Sequence, residues 1–353
     1  MRSVIAMSGG VDSSVALFLT KENQPGGDIL GVTLALAERG TVGEQADSAN
    51  IADAAAVCLA QNTEHTAIYA YPEFSSAVID YFISEYFAGR TPNPCVICNR
   101  EIKFGLLYEY AEKNGFERVV TGHYVRTEEC GGYTYIKKAA DLKKDQSYVL
   151  ARLSQKQLKH AYFPLGEYTK DEVRDIAEKL GFVNARRHDS QDICFIPDGD
   201  YVSFITRRTG VSPEPGDYLD ENGRVMGKHG GQWRYTIGQR KGLGISAGKH
   251  IFVLSKDAEK NTVTLGDEDR LMKKTVRLSD LNIPSNPHDL DGDVRCEAKL
   301  RYAHRAAPAV FHRTDEKSGV LEFNESQRAP SPGQLAVIYS GDIVIGAGTI
   351  EWG

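Results

Sequence analysis

The stretch that most constrains this chain lies at its start. An apolar run, SVIAM at residues 3–7, is followed by SGGVDSS at 8–14 and then by the apolar VALFL. Strand, glycine turn and helix start in this order aim backbone N–H groups at one point. Gly9 and Gly10 permit positive φ and let a ligand approach the main chain. Ser13 and Ser14 open the helix, whose unpaired N–H groups and dipole attract negative charge. The turn itself can add a nest of donors. The pattern predicts a phosphate site, against the simpler alternative of a serine-capped turn. Asp12 runs counter to it, because a carboxylate repels phosphate. Its charge calls for a divalent cation or a nearby cap. The kinase-type loop G-x-x-x-x-G-K-[ST] is excluded, since no lysine follows.

Length and composition set outer bounds. The 353 residues predict two or three domains. Hydrophobic content of 41% and charged content of 25% describe a globular chain. A net charge of −6 gives no global basic field, although a local basic groove fits inside an acidic total. A charged residue and a strand follow Met1 directly, so no signal peptide is read, and no apolar run approaches the ~20 residues of a membrane span. Six cysteines in such a chain read as free thiols in the cytoplasm rather than a disulfide framework.

Apolar strand-like and helix-like runs alternate to about residue 200. SVIAM, ILGVTLAL, HTAIYAY and RVVTGHYVR read as strands. NIADAAAVCLAQN, the aromatic run at 74–87 and IKFGLLYEYAEKNG read as helices. The alternation predicts an α/β domain with a parallel sheet, whose ligands bind at the carboxyl ends of the strands. GTVGEQA at 40–46 reads as a mobile loop, and RTPNPCVICNR as a proline-constrained loop. Residues 207–249 are rich in Gly, Arg and Pro. Within them GGQWRYTIGQRKGLGIS reads as a flexible basic segment. From about 275 onward only short alternating strands appear, which predicts a small β-barrel. The expected plan is a catalytic domain at 1–205, a small central domain at 206–274 and a barrel at 275–353.

Cys95 and Cys98 form a CxxC ahead of a helix, with Arg100 and Lys103 near in sequence. Thiols near positive charge and a helix start become nucleophiles or metal ligands. The absence of a second CxxC argues against a closed zinc site, while a redox pair or two incidental cysteines stay open. Cys194 in RRHDSQDICFIP reads alone as a core thiol. Cys58 reads as core, Cys130 as incidental, and Cys296 as a strand residue. In DLKKDQSYVL, Lys143 and Lys144 suit phosphates of a polymer, and Asp145 and Gln146 suit a helix cap or a base edge; taken alone, the segment reads better as a solvated helix start.

Taken together, SGGVDSS, AGRTPNPCVICNREIKF, VTGHYVR, KKDQSYVL, SQDICFIP, RYTIGQRKGLGI and LRYAHR resemble the tRNA-specific 2-thiouridylase family, known as MnmA in bacteria and TrmU in mitochondria. The first motif is similar to the PP-loop of ATP pyrophosphatases. The resemblance spans essentially the whole chain. It implies an ATP-dependent enzyme that replaces the 2-oxygen of the wobble uridine of tRNA Lys, Glu and Gln with sulfur. It implies partners too: the tRNA and a cysteine desulfurase or sulfur-relay persulfide donor. ATP with Mg²⁺ would bind at Ala6, Met7, Ser8, Gly9, Gly10, Val11, Asp12, Ser13, Leu34 and Gly122, with Asp12 on the Mg²⁺ side. Cys98 would be the nucleophile and Cys194 the persulfide carrier. Asn93, Pro94 and Cys95 would frame the base. His123, Lys144, Asp145, Gln146, Arg301, Tyr302 and Gln334 would touch tRNA. Many members have Asp where this chain has Cys95. Three cysteines, Cys95, Cys98 and Cys194, also suit a [4Fe–4S] cluster with one open iron site, a rival to the persulfide route. Readings from other classes are a PP-loop ligase or amidotransferase on a small molecule, and an RNA-binding module with a vestigial nucleotide site.

Overall fold

The computed structural model describes residues 1–185, 193–245 and 248–352. RRHDSQD at 186–192, with Ser246, Ala247 and Gly353, lies outside them. The first sheet contains β1 (Arg2–Ala6), β2 (Asp28–Ala35), β3 (Glu64–Tyr69) and β4 (Arg118–Val120). A hairpin of β5 (Arg126–Cys130) and β6 (Tyr133–Lys137) intervenes before its last strand, β7 (Ala161–Tyr162). The sheet order is β3-β2-β1-β4-β7. Every pairing in it is parallel, so each connection crosses a face of the sheet. Val4 and Ile5 in β1 point to opposite faces. Ile5 packs on α1 (Val11–Asn23) and α2 (Val42–Ala60), and Val4 joins a second core cluster.

Strand order places the site. The chain steps from β1 to β2 and β3, then returns to β4 on the other side of β1. Such a reversal opens a crevice at the carboxyl ends of the two central strands. SGGVDSS follows β1, and the turn Thr121, Gly122, His123 follows β4. The two turns touch: a Cβ on Gly122 would lie 2.7 Å from the Asp12 carbonyl carbon and 2.8 Å from the Ser13 nitrogen.

Three segments depart from the sequence expectation. The supposed loop at 40–46 opens α2 from Val42. Its acidic residues bond the chain upstream, with Glu44 accepting from the Gly40 N–H at 2.7 Å and Asp47 from that of Ala37 at 2.7 Å. The proline-rich RTPNPCVICNR is largely helical. Pro94 starts the turn Pro94–Ile97 at a position where its missing N–H costs nothing. A π-helical stretch, Cys98–Leu106, and the helix Leu107–Lys113 continue it. The third is GGQWRYTIGQRKGLGIS, whose described part is pinned rather than free, because Trp233, Tyr235, Ile237 and Leu243 are buried. It bridges two pairs of strands, β8 (Gly216–Leu219) with β9 (Val225–His229), and β10 (Phe252–Asp257) with β11 (Thr262–Gly266). Together they form a second sheet in the order β10-β11-β8-β9.

The last six strands are β12 (Met272–Asn282), β13 (Asp293–Lys299), β14 (Ala307–Arg313), β15 (Gly319–Arg328), β16 (Leu335–Ser340) and β17 (Ile343–Ile350). They run β12-β15-β14-β13-β16-β17, and β12 also pairs with β17, which closes the barrel. In β16 the residues alternate between two cores. Ala336 and Ile338 enter the barrel interior; Leu335, Val337 and Tyr339 join Val4, Val32 and Tyr148 in the core of the α/β unit. The β5–β6 hairpin adds to the barrel sheet through Ile343 and Lys137. Gly122→Ala is expected to lower unfolding stability in urea by about 1–3 kcal/mol, the cost of forcing one methyl into packed backbone.

Candidate active site

The SGGVDSS turn is held by its own hydroxyls. Ser13 Oγ accepts from the Ser8 N–H at 3.2 Å and donates to the Gly10 carbonyl at 2.9 Å, and Ser14 Oγ donates to the same carbonyl at 3.0 Å. Gly9 has φ +71°, and a Cβ there would lie 2.6 Å from the Asn50 carbonyl oxygen of α2. Asn184 Nδ2 donates to the Gly9 carbonyl and to Ser14 Oγ, both at 2.9 Å. Met7 and Val11 are buried beneath the turn, Ala6 and Gly10 are half-buried, and Ser8 is exposed.

Asp12 finds its counter-charge within the protein. Lys170 Nζ lies 2.8 and 2.9 Å from its two carboxylate oxygens, and the Tyr124 hydroxyl donates to it at 2.8 Å. The Lys170 side chain is only 5% exposed. An ammonium and a phenol thus engage the Asp12 carboxylate in the structure. Sequence reading missed Lys170, yet a signal exists. It is the first residue of the helix Lys170–Lys179, behind the capping box of Thr169 and Glu172. A cation there opposes the helix dipole, so something else must hold it.

The cysteines gather at the same edge of the sheet. Cys98 is buried in an apolar cluster with Phe74, Phe82, Ile102 and Ile196, and Leu34 from the end of β2 packs against it. Phe195 inserts into that cluster with its ring 5.6 Å from Phe74 and 5.3 Å from Phe82. Cys194, beside Phe195, is thereby brought to the Cys98 side of the site. Burial raises the Cys98 thiol above its ordinary value, against the pull of Lys103 and with a further push from Cys95. Burial raises Cys95 as well, and Lys103 again opposes it. The protein around Cys194 pushes its thiol up to about 12, with the nearby Cys98 and Cys95 adding to the rise. Cys95 and Cys194 nevertheless keep solvent access, and Cys98 does not. Among the described residues, no three His, Cys, Asp or Glu side chains are placed to hold a metal ion. Cys95, Cys98 and Cys194 are neighbours in this arrangement. Cys58 is buried, as expected of a core thiol.

The residues expected at the RNA face divide. Tyr302 is exposed at 44%, with Lys299 Nζ 5.4 Å above its ring. Lys144 is half-buried. The others make contacts within the protein. His123 is buried, shares a 2.8 Å hydrogen bond with Thr121, and packs against Phe104 and Phe163. Burial, with Lys103 adding to it, holds His123 well below the usual imidazole range. Asp145 is buried and accepts from Ser147 Oγ at 2.7 Å and from the Ala139 N–H at 3.1 Å. Gln146 Oε1 accepts from the Tyr124 N–H at 2.9 Å. Arg301 donates to the Ala329 carbonyl at 2.7 Å and to Ser331 Oγ at 2.6 Å. Gln334 donates to the carbonyls of Thr91 and Pro92. Asn93 is half-buried and Pro94 buried, which leaves Cys95 as the open residue of the loop.

A parallel α/β sheet with an SGG-x-DS turn at its switch point defines a PP-loop ATP-using unit, here joined to two β units. Family models match along the chain: "tRNA methyl transferase HUP domain" over residues 1–198, "tRNA methyl transferase PRC-barrel domain" over 202–267 and "Aminomethyltransferase beta-barrel domain" over 273–350. The tRNA-specific 2-thiouridylase MnmA of Clostridioides difficile is 42% identical over 99% of this chain and 97% of its own length. Those of Moorella thermoacetica and Syntrophomonas wolfei are each 43% identical over 99% of this chain, and over 99% and 100% of their own lengths. The chain belongs to the tRNA-specific 2-thiouridylase family. No helix among the described residues is long and apolar enough to cross a membrane.

Lys170→Met leaves Asp12 without its cation. Breaking a buried pair costs about 3–5 kcal/mol, and the partial exposure of Asp12 places the expected loss near ~3 kcal/mol. Chemical denaturation of Lys170→Met and of the Lys170→Met/Asp12→Asn double variant checks this; the double variant is expected to recover most of the loss.

Proposed function

We propose that this chain is an ATP-dependent tRNA sulfurtransferase that exchanges the 2-oxygen of the wobble uridine in tRNA Lys, Glu and Gln for sulfur. The observation that carries the reading is the shared edge: the SGGVDSS turn, Cys98 and the Phe195 anchor beside Cys194 all lie at the carboxyl ends of one parallel sheet. Methyl transfer, which two of the domain descriptions name, has no use for an ATP turn or a pair of thiols. A small-molecule ligase would have no use for the cysteines or the barrel.

The chemistry follows from the residue types. A uracil 2-oxygen is a poor leaving group. Attack of that oxygen on the α-phosphorus of ATP releases pyrophosphate and turns the oxygen into part of AMP. The backbone N–H groups around Gly9, Gly10 and Ser13 hold the phosphates, with Lys170 keeping Asp12 from repelling them. Mg²⁺ travelling with ATP offsets the remaining phosphate charge. Cys194 carries the incoming sulfur as a persulfide from an external donor. Its terminal sulfur attacks C2 and AMP departs with the oxygen. Cys98 thiolate then attacks the Cys194 sulfur, forms a Cys98–Cys194 disulfide and releases the thiolated base. Two electrons from an external thiol reset the pair. The thiolate is the reactive form at each step. The solvent access of Cys194 suits receipt of sulfur from a donor protein, and the burial of Cys98 suits a resolving thiol shielded from it. Tyr302, with Lys299 above it, offers a surface on which an unstacked base or ribose can rest.

Cys98→Ser and Cys194→Ser are each expected to abolish thiolation, measured by mass analysis of tRNA, while tRNA binding persists. Thiolation surviving in either variant refutes these roles. Because the Cys194 thiol lies far above neutral, its thiolate fraction climbs with pH. Its alkylation in the free enzyme is expected to accelerate about tenfold per pH unit from 7 to 10 without a plateau.

A further inference from the structure

The family resemblance implies that Gln334 touches RNA; in the structure its amide also bonds within the protein. Gln334 Nε2 donates to the Thr91 carbonyl at 2.9 Å and to the Pro92 carbonyl at 3.1 Å. The Thr91 N–H donates to the Pro332 carbonyl at 2.8 Å. Between these bonds Gly333 has φ +86°, and a Cβ on it would lie 2.9 Å from Arg90 Cβ and 3.0 Å from the Thr91 nitrogen. The barrel turn at 331–334 and the loop at 90–92 therefore meet backbone to backbone, with no room for a side chain.

Both partners are stiff. The turn is tied to β17, since the Gly333 N–H donates to the Ile350 carbonyl at 2.9 Å and the Ile350 N–H to the Gln334 carbonyl at 2.8 Å. Arg301 braces it from the other side through Ser331. The loop runs from Pro92 through Pro94 into Cys95, and two fixed φ angles leave little slack. The far end of the cysteine stretch depends on the same barrel strand. Asn99 Nδ2 donates to the Val149 carbonyl at 3.2 Å. The helix Ser147–Leu150 that carries Val149 is bonded to β16 through the Tyr148 hydroxyl and the Leu335 carbonyl, 2.7 Å.

We propose that Gln334 is a positioning residue, which through Thr91 and Pro92 fixes the loop carrying Cys95 and Cys98 against the barrel. The barrel then serves as one wall of the sulfur-transfer site as well as a platform for RNA. This rests on the thiolation reading of the cysteines, and the experiment separates the two.

Gln334→Met removes the amide donor and keeps the length of the side chain. The full-length variant is compared with wild type in tRNA affinity, in kcat and KM for thiolation at saturating ATP, and in the rate of Cys95 alkylation by iodoacetamide without tRNA. The expected result is a tRNA Kd within twofold, a kcat lowered at least tenfold and Cys95 alkylation changed at least threefold. A tenfold rise in Kd or KM with kcat preserved would make Gln334 a direct RNA contact and overturn the proposal. Unchanged alkylation overturns it as well. If wild type fails to thiolate tRNA, the functional reading falls, and the alkylation rates alone decide the role of Gln334. Should the variant not fold, hydrogen exchange of the Thr91 amide in wild type decides: strong protection is expected, and exchange at the rate of an open loop refutes the clamp.

Discussion

The structure depends on the apolar layer between the nucleotide-binding sheet and strand β16. Leu335, Val337 and Tyr339 leave the barrel wall and enter the core that also holds Val4 and Val32. Each such side chain contributes about 1.5–3 kcal/mol on burial. Their number matters less than their position. The same strand presents the Leu335 carbonyl to Tyr148 and the Tyr339 hydroxyl to Ser147. Hydrophobic packing supplies the attraction, and these hydrogen bonds fix the register. The helix Ser147–Leu150 and Asn99 inherit that register, and Cys98 is one residue from Asn99.

The nucleotide turn solves a different problem, one of charge. Backbone donors attract phosphate whatever its neighbours, but a carboxylate among them would spoil the field. Lys170 and Tyr124 neutralise Asp12 from outside the motif. The close contact of Gly122 with the start of α1 keeps the two turns in one rigid frame. The thiols follow the opposite logic. Burial raises all three above the ordinary thiol value. Lys103 pulls all three down against that rise.

Much of this was legible in the sequence, where local chemistry decides structure. The strand–turn–helix of SGGVDSS, the alternation that makes the parallel sheet and the six barrel strands all follow from short-range pattern. So does the assignment of Cys58 to the core. What escaped depends on contacts between distant segments. GTVGEQA looks like a loop until Glu44 and Asp47 are seen to bond the backbone before it. PNPCVICNR looks irregular because prolines are read as breakers, although Pro94 sits where a helix tolerates one. GGQWRYTIGQRKGLGIS looks flexible because its glycines outnumber its anchors. The partners that His123, Asp145 and Gln334 find within the protein likewise come from distant segments or from turns that the pattern does not show. Lys170 could have been found by asking why a lysine stands at the positive end of a helix.

A last consequence concerns synthesis. Sheet strands β1 to β4 leave the ribosome early, whereas β16 emerges close to the end of the chain. Until then the face of the sheet around Val4 and Val32 has no permanent cover. Nascent chains fold from the N-terminus as they appear, so the nucleotide-binding half must wait, partly open, for its own lid of barrel strand. A stalled or truncated chain would expose that face to other proteins.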